Sequence, residues 1–209
     1  MSLVSPAISL PNNSSQPIKL GIMASGSGSN FEAVAQAIAN EQLNAEIKVL
    51  IYNNPQALVK SRAEKWQIPS VLINHREFPQ REALDQEIVN TLQQYDVQWV
   101  VMAGWMRIVT QVLLDNFRDR IINIHPSLLP SFKGINAIEQ ALKAQVKITG
   151  CTVHLVNLEV DSGQIIMQSA VPVLPGDTLE SLHKRIQIQE HLILPTAISL
   201  AVNNYSNNC

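Results

Sequence analysis

Two stretches of this chain, VQWVVMA at 97–103 and RIINIH at 120–125, are apolar almost without interruption. A strand with one wet face alternates apolar and polar residues, whereas one covered on both faces does not. Continuous runs of this kind fit the middle of a parallel sheet sandwiched between helices, and the rest of the chain is consistent with that. IKLGIMA (18–24) reads as a strand, SGSGS as a glycine-rich turn, and the residues from Asn30 to about Ala39 as a helix with Asn30 as its N-cap. A strand over 46–53, a helix over 55–66 and a strand over 70–73 follow. In the segment 79–95, Leu84, Ile88 and Leu92 recur every fourth residue, which places one apolar stripe on a long helix.

Beyond about Thr149 the texture changes. CTVHLV (151–156) and GQIIMQSAVPV (163–173) read as two strands of an antiparallel hairpin joined by a short acidic loop. A last helix is expected from about Asp177 to Val202, with Pro195 kinking or breaking it. The class is therefore α/β: a Rossmann-like, mostly parallel central sheet flanked by helices, with right-handed crossovers, a C-terminal antiparallel hairpin and a long last helix. At 209 residues, 46% of them hydrophobic, the chain suffices for one such domain, expected over 18–203, and is short for two. The opening MSLVSPAISLPNNSSQP (1–17) lacks helical periodicity and reads as a disordered extension without the features of a secretory signal.

Composition narrows the function classes. A net charge of −2 and a pI near 6.2 give no electrostatic footprint for nucleic acid or an acidic membrane, and no apolar run approaches bilayer length. Only two cysteines occur, Cys151 inside an apparent strand and Cys209 at the terminus, which suits a reducing cytoplasm. The five histidines show no metal-ligand spacing, and Gly-x-Ser-x-Gly is missing, so neither metal nor covalent nucleophilic catalysis is expected.

Three motifs remain. ASGSGSN (24–30) lets the backbone approach a ligand closely at Gly26 and Gly28 and presents helix N–H groups to an anion; it reads equally as a tight turn with no ligand. It is neither a dinucleotide fingerprint nor a P-loop. Asn123 and His125 stand two residues apart on one strand, hence on the same face about 7 Å apart. Where that strand ends on a ligand crevice, the pair can stabilise an oxyanion; a satisfied core histidine beside a capping asparagine is the alternative. Burying both without a role is costly, which favours function. Asp161, in the loop LEVDSGQI, is ordinary turn chemistry unless it meets His125, whose protonated form it would favour. Thr152 and His154, alternating on one strand face, could support the site from behind, but a half-exposed strand explains them. Gln187 and Glu190, at i and i+3 with His183 a turn earlier, fit a solvated helix face, and Arg81 and Arg107 fit surface charges unless a carboxylate ligand lies near.

Taken in order, ASGSGSN, MAGWMRI (102–108), NIHPSLLP (123–130), GCTVHLVNLEVDSG (150–163) and QEH (189–191) resemble the folate-dependent formyltransferases that act on glycinamide ribonucleotide in purine biosynthesis. The likeness extends from about Ile18 to about Ala201, and Pro126 after the histidine suits this branch over the methionyl-tRNA and hydrolase branches, which carry further domains for which this length leaves no room. The resemblance implies direct transfer of a formyl group from the co-substrate 10-formyltetrahydrofolate, with no metal and no covalent enzyme intermediate. Asn123 and His125 would hold the oxyanion and Asp161 would set the charge of His125 and help move the proton. Gly28, Ser29 and Asn30 would cradle the ribonucleotide phosphate, with Gly104, Pro126, Gln187 and Glu190 at its ribose and amide. Met106, Arg107, Ile108 and Val109 would line the folate slot, Arg107 and Arg81 meeting the glutamate carboxylates. A monomer or weak homodimer follows, with no nucleic acid or membrane partner. A formyltetrahydrofolate hydrolase and a catalytically silent folate- or nucleotide-binding protein of the same fold are the alternatives. The chain departs from the family in having Ile138 where a histidine is common and Ser162 where a smaller residue is common.

Overall fold

The computed structural model describes residues 3–7 and 16–206. Eight strands form one sheet in the order β1-β8-β7-β6-β5-β2-β3-β4. Here β1 is Leu3–Ser5, β2 Ile18–Ala24, β3 Ala45–Tyr52, β4 Ser70–Leu72, β5 Trp99–Met102, β6 Ile121–His125, β7 Ile148–Leu155 and β8 Ile165–Pro172. The five strands from β2 to β6 run parallel, while β7, β8 and β1 add antiparallel pairs at one side.

Both faces of the central strands are buried, as their continuous apolar character requires. Leu20, Ile22, Trp99 and Val101 point into a core with Phe31, Val34, Leu182 and Ile186 from α1 (Ser29–Ala39) and α6 (Leu179–Ser206). Met23, Val100 and Met102 point the other way, against Leu84, Ile88 and Leu92 of α3 (Arg81–Gln94) and Leu113 of α4 (Gln111–Asn116). The expected stripe on α3 is thus its buried face. The two further helices are α2 (Val59–Lys65) and α5 (Ala137–Lys143).

Strand order reverses between β2 and β5, because β2 pairs with β3 on one side and β5 on the other. The loops leaving the carboxyl ends of these two strands diverge, and a crevice opens between them.

Several expectations change. Leu3–Ser5 is a strand paired with β8 in the register Leu3↔Ala170, so the N-terminal segment is not wholly disordered; Val4 packs against the core there. The remainder of that segment, 8–15, lies outside the described residues, as do Met1, Ser2 and Cys209. α1 starts one residue early with Gly28, in the left-handed region at φ 74°, as its N-cap. Asn30 is therefore not the cap but sits inside the first turn with its side chain free for other partners. Pro195 does not break α6: the helix continues to Ser206 because Ile193, Leu194, Ala197 and Ile198 around it are fully buried. Thr152 and His154 are buried rather than half-exposed, since both faces of β7 are covered. Among the described residues no helix is long and apolar enough to cross a membrane.

Candidate active site

A cavity of about 630 Å³ occupies the crevice at the carboxyl ends of β2, β5 and β6. It is lined by every candidate named from the sequence except Arg81, which is exposed at the start of α3 and does not reach it.

The floor comes from β6. Asn123 and His125 lie on the face shared with Ile121, and the antiparallel register sets Asn123 opposite His154 and His125 opposite Thr152. His125 Nδ1 is 3.2 Å from Asp161 Oδ2, with side-chain exposures of only 7% and 8%. Its Nε2 is 2.8 Å from the backbone carbonyl of Phe132. Oxygen acceptors face both ring nitrogens, and both are satisfied together only by a ring that carries two protons.

Asn123 Nδ2 lies 3.1 Å from His154 Nε2 and donates to Asp161 Oδ1 at 3.4 Å. His154 Nδ1 faces the Leu155 carbonyl at 2.8 Å, so that nitrogen carries the proton and Nε2 accepts from the amide. His154 Nε2 also lies 3.6 Å from Asp161 Oδ1, a longer approach that the amide contact outranks. The amide orientation follows: turned over, its oxygen would face a carboxylate oxygen.

Asp161 is the hub. Its backbone is left-handed at φ 51°, and its Oδ2 accepts the Gly134 N–H at 2.8 Å. Burial pushes its carboxyl up, but the bond from the Gly134 N–H and the nearby His125 outweigh that, leaving it below the ordinary carboxylate range. The acid is ionised at any neutral pH. Its bond to Gly134 also fixes the loop that delivers the Phe132 carbonyl, a loop further tied by Lys133 Nζ to Glu159 Oε1 at 3.0 Å.

The wall opposite belongs to α1 and α6. A side chain at Gly28 would place a Cβ 2.3 Å from Val59 Cγ2, so packing and φ both demand glycine there. Val59 N donates to the Gly26 carbonyl and Arg62 Nε to the Ser27 carbonyl, 2.8 Å away, which fixes the turn. Gln187 Nε2 donates to Ser29 Oγ at 3.0 Å, and Asn30 Nδ2 to Glu190 Oε2 at 3.0 Å. These two residues of α6 are thus inside the site, not on a solvated face. Burial pushes the Glu190 carboxyl up, offset in part by Asn30 and His183. Asn30 Oδ1 is buried in the cavity wall without a hydrogen-bond partner, an acceptor available to a ligand.

The third wall is the segment 104–109 after β5. Gly104 is left-handed at φ 80°, Met106 is 76% exposed, and Val109 is buried. Arg107 lines the cavity with its Nε unpartnered. Pro126 closes the floor, and Ile138, buried in α5, lines the cavity. The Ser162 hydroxyl bonds Asn157 Oδ1 and the Glu159 carbonyl, so the loop takes up the extra oxygen. Cys151 is fully buried with its thiol pushed up by burial, which fits no nucleophilic role.

Sequence reasoning missed His154 as a partner of both Asn123 and Asp161; its position opposite Asn123 follows only from the strand register. The alternation of Thr152 and His154 was visible, but not which face was buried.

The Formyl transferase family matches residues 18–198. This chain belongs to that family. Phosphoribosylglycinamide formyltransferase of Bacillus subtilis (strain 168) is 41% identical over 89% of this chain and 96% of its own. The crystal structure of glycinamide ribonucleotide transformylase 1 from Symbiobacterium toebii is similar at a TM-score of 0.89 with 41% identity, covering 93% of this chain and 94% of that one. The trifunctional purine biosynthetic protein adenosine-3 of Bos taurus is 43% identical over 88% of this chain, which spans only 18% of that longer protein.

Proposed function

We propose that this formyl transferase moves a formyl group from 10-formyltetrahydrofolate to the amine of glycinamide ribonucleotide, a step of purine biosynthesis, by direct acyl transfer. One observation carries the reading: Asn123, His125 and Asp161 meet on one cavity floor, between a rigid glycine turn and an apolar slot.

The amine attacks the formyl carbon on N10, and the carbonyl oxygen becomes an oxyanion. The Asn123 amide supplies one donor, and His125 supplies the other when its Nε2 turns from the Phe132 carbonyl to the oxyanion, each worth about 2.7–4 kcal/mol of barrier. The 3.4 Å bond from Asn123 to Asp161 is long, so that proton is the one redirected to the oxyanion while the contact with His154 holds the amide in place. Asp161 faces His125 and, through water, passes the proton of the attacking amine to N10, whose bond to the formyl carbon breaks as the carbonyl re-forms and tetrahydrofolate leaves. The N–H groups of the α1 turn at Gly28, Ser29 and Asn30 receive the phosphate, which the helix dipole favours. Gln187 and Glu190 take ribose hydroxyls, with Gly104 and Pro126 beside the amide. Met106, Ile108 and Val109 cover the folate ring system, and Arg107, its Nε unpartnered, suits the glutamate carboxylate.

Following the deformylated folate by absorbance with and without glycinamide ribonucleotide tests this. Turnover is expected only with both. An equal rate without the ribonucleotide makes the chain a hydrolase, and no turnover while both ligands bind by calorimetry makes it a binding protein.

A further inference from the structure

The segment 104–109 lines the cavity but does little to hold itself there. Met106 and Ile108 are 76% and 52% exposed. Its shape is set from its ends. At the first, Ser25 N donates to the Gly104 carbonyl at 3.1 Å, and Met106 N donates to Ser25 Oγ at 2.9 Å. At the second, Thr110 N donates to Asp85 Oδ2 at 2.5 Å. Thr110 in turn N-caps α4, its Oγ1 accepting from Val112 N at 3.3 Å.

Asp85 is 2% exposed, on the α3 face that also carries Leu84, Ile88 and Val89 and packs with Trp105, Val109 and Leu113. The charged groups seen to act on it, Glu82 and Arg81, belong to its own helix. A buried acid in an apolar wall costs free energy that a hydrophobic side chain of similar size would not. What it gives in return is two acceptor oxygens at a height fixed by a 14-residue helix, against which a six-residue helix and the loop before it are positioned.

We propose that Asp85 is a positioning residue for folate recognition: through Thr110 it sets the far end of the segment 104–109. This rests on the reading of that segment as the folate slot. No step of the formyl transfer uses Asp85, and it reaches the substrate only through backbone geometry.

The test compares Asp85→Ala and Asp85→Asn with the unaltered protein, measuring KM for both substrates, calorimetric Kd for tetrahydrofolate, and thermal unfolding. Asp85→Ala is expected to raise the folate KM and the tetrahydrofolate Kd about tenfold, the loss of one charge-assisted buried hydrogen bond. The ribonucleotide KM and kcat should stay within about twofold. Asp85→Asn, which keeps an oxygen for the Thr110 N–H, should recover part of the loss. If Asp85→Ala does not fold, Thr110→Val, lacking only the hydroxyl, is expected to weaken folate in the same direction. A fall in thermal stability alone, or equal rises in both KM values, overturns the proposal and leaves Asp85 structural. Ile108→Glu separates the underlying reading. If it weakens tetrahydrofolate while Asp85→Ala does not, the slot stands and the role of Asp85 falls; if it leaves tetrahydrofolate binding intact, both fall.

Discussion

The two walls of the cavity, the glycine turn after β2 and the segment 104–109 after β5, stand on adjacent parallel strands yet are built in opposite ways. The turn is over-determined. Gly28 is fixed by its left-handed φ and by Val59, its carbonyl neighbours are bonded by Val59 and Arg62, and Ser29 and Asn30 are tied to α6. The segment has exposed side chains and is held at Ser25 and at Thr110. A phosphate is small and of one shape, so donors frozen in advance bind it without further ordering cost. On the proposed reading, a flexible, multi-ring folate would meet a surface whose height depends on anchors outside the site. One wall is preorganised by packing, the other by its posts.

Perturbations break this comparison at different strengths. The largest effect is expected at the floor, which serves both walls. His125→Ala removes an oxyanion donor and should lower kcat by about 10²–10³-fold, with the affinity for each substrate held within a few-fold; steady-state kinetics with calorimetry checks it. A change confined to KM would return His125 to a structural role.

Next is the turn itself. Gly28→Ala forces a side chain into a left-handed backbone and against Val59, a strain of about 1–3 kcal/mol. Calorimetry should show ribonucleotide affinity falling about tenfold or more with tetrahydrofolate affinity unchanged. Equal losses for both ligands would mean that the walls are not independent.

The smallest effect is expected at Glu190. Burial raises its carboxyl above the unfolded value, so the stability it contributes is fully present below that unfolded value and is lost as pH rises through the folded one. Glu190→Gln should therefore be more heat-stable than the unaltered protein at neutral pH. If about 1 kcal/mol is recovered, Tm rises by roughly 2–4 °C, and the gap closes as the pH is lowered towards the unfolded value. The same variant should bind ribonucleotide less well, because the wall gives up a charged acceptor.

Much of this was legible from residue order. Continuous apolar runs at 97–103 and 120–125 marked the centre of the sheet, and the spacing of Leu84, Ile88 and Leu92 marked the inner face of α3. What escaped was short or non-local. α4 and α5 have six and seven residues, under two turns, too few for a period to declare itself. Leu3–Ser5 is a strand only because the edge of β8 is there to receive it. In the site, Asn123 and His125 stood out as polar residues ending an apolar strand, and Asp161 as their possible partner. His154 and Asp85 did not. One owes its place to a pairing register, the other to a helix packed across the fold, and neither leaves a local signal.

In the proposed mechanism Asp161 serves the proton and charge of the reaction and not the binding of the ribonucleotide. Asp161→Asn keeps the shape of the hub and removes its charge, so the most direct measurement is single-turnover formyl transfer by this variant beside its calorimetric affinity for glycinamide ribonucleotide. Transfer is expected to slow by orders of magnitude at unchanged ribonucleotide affinity. Transfer at the rate of the unaltered protein would contradict it.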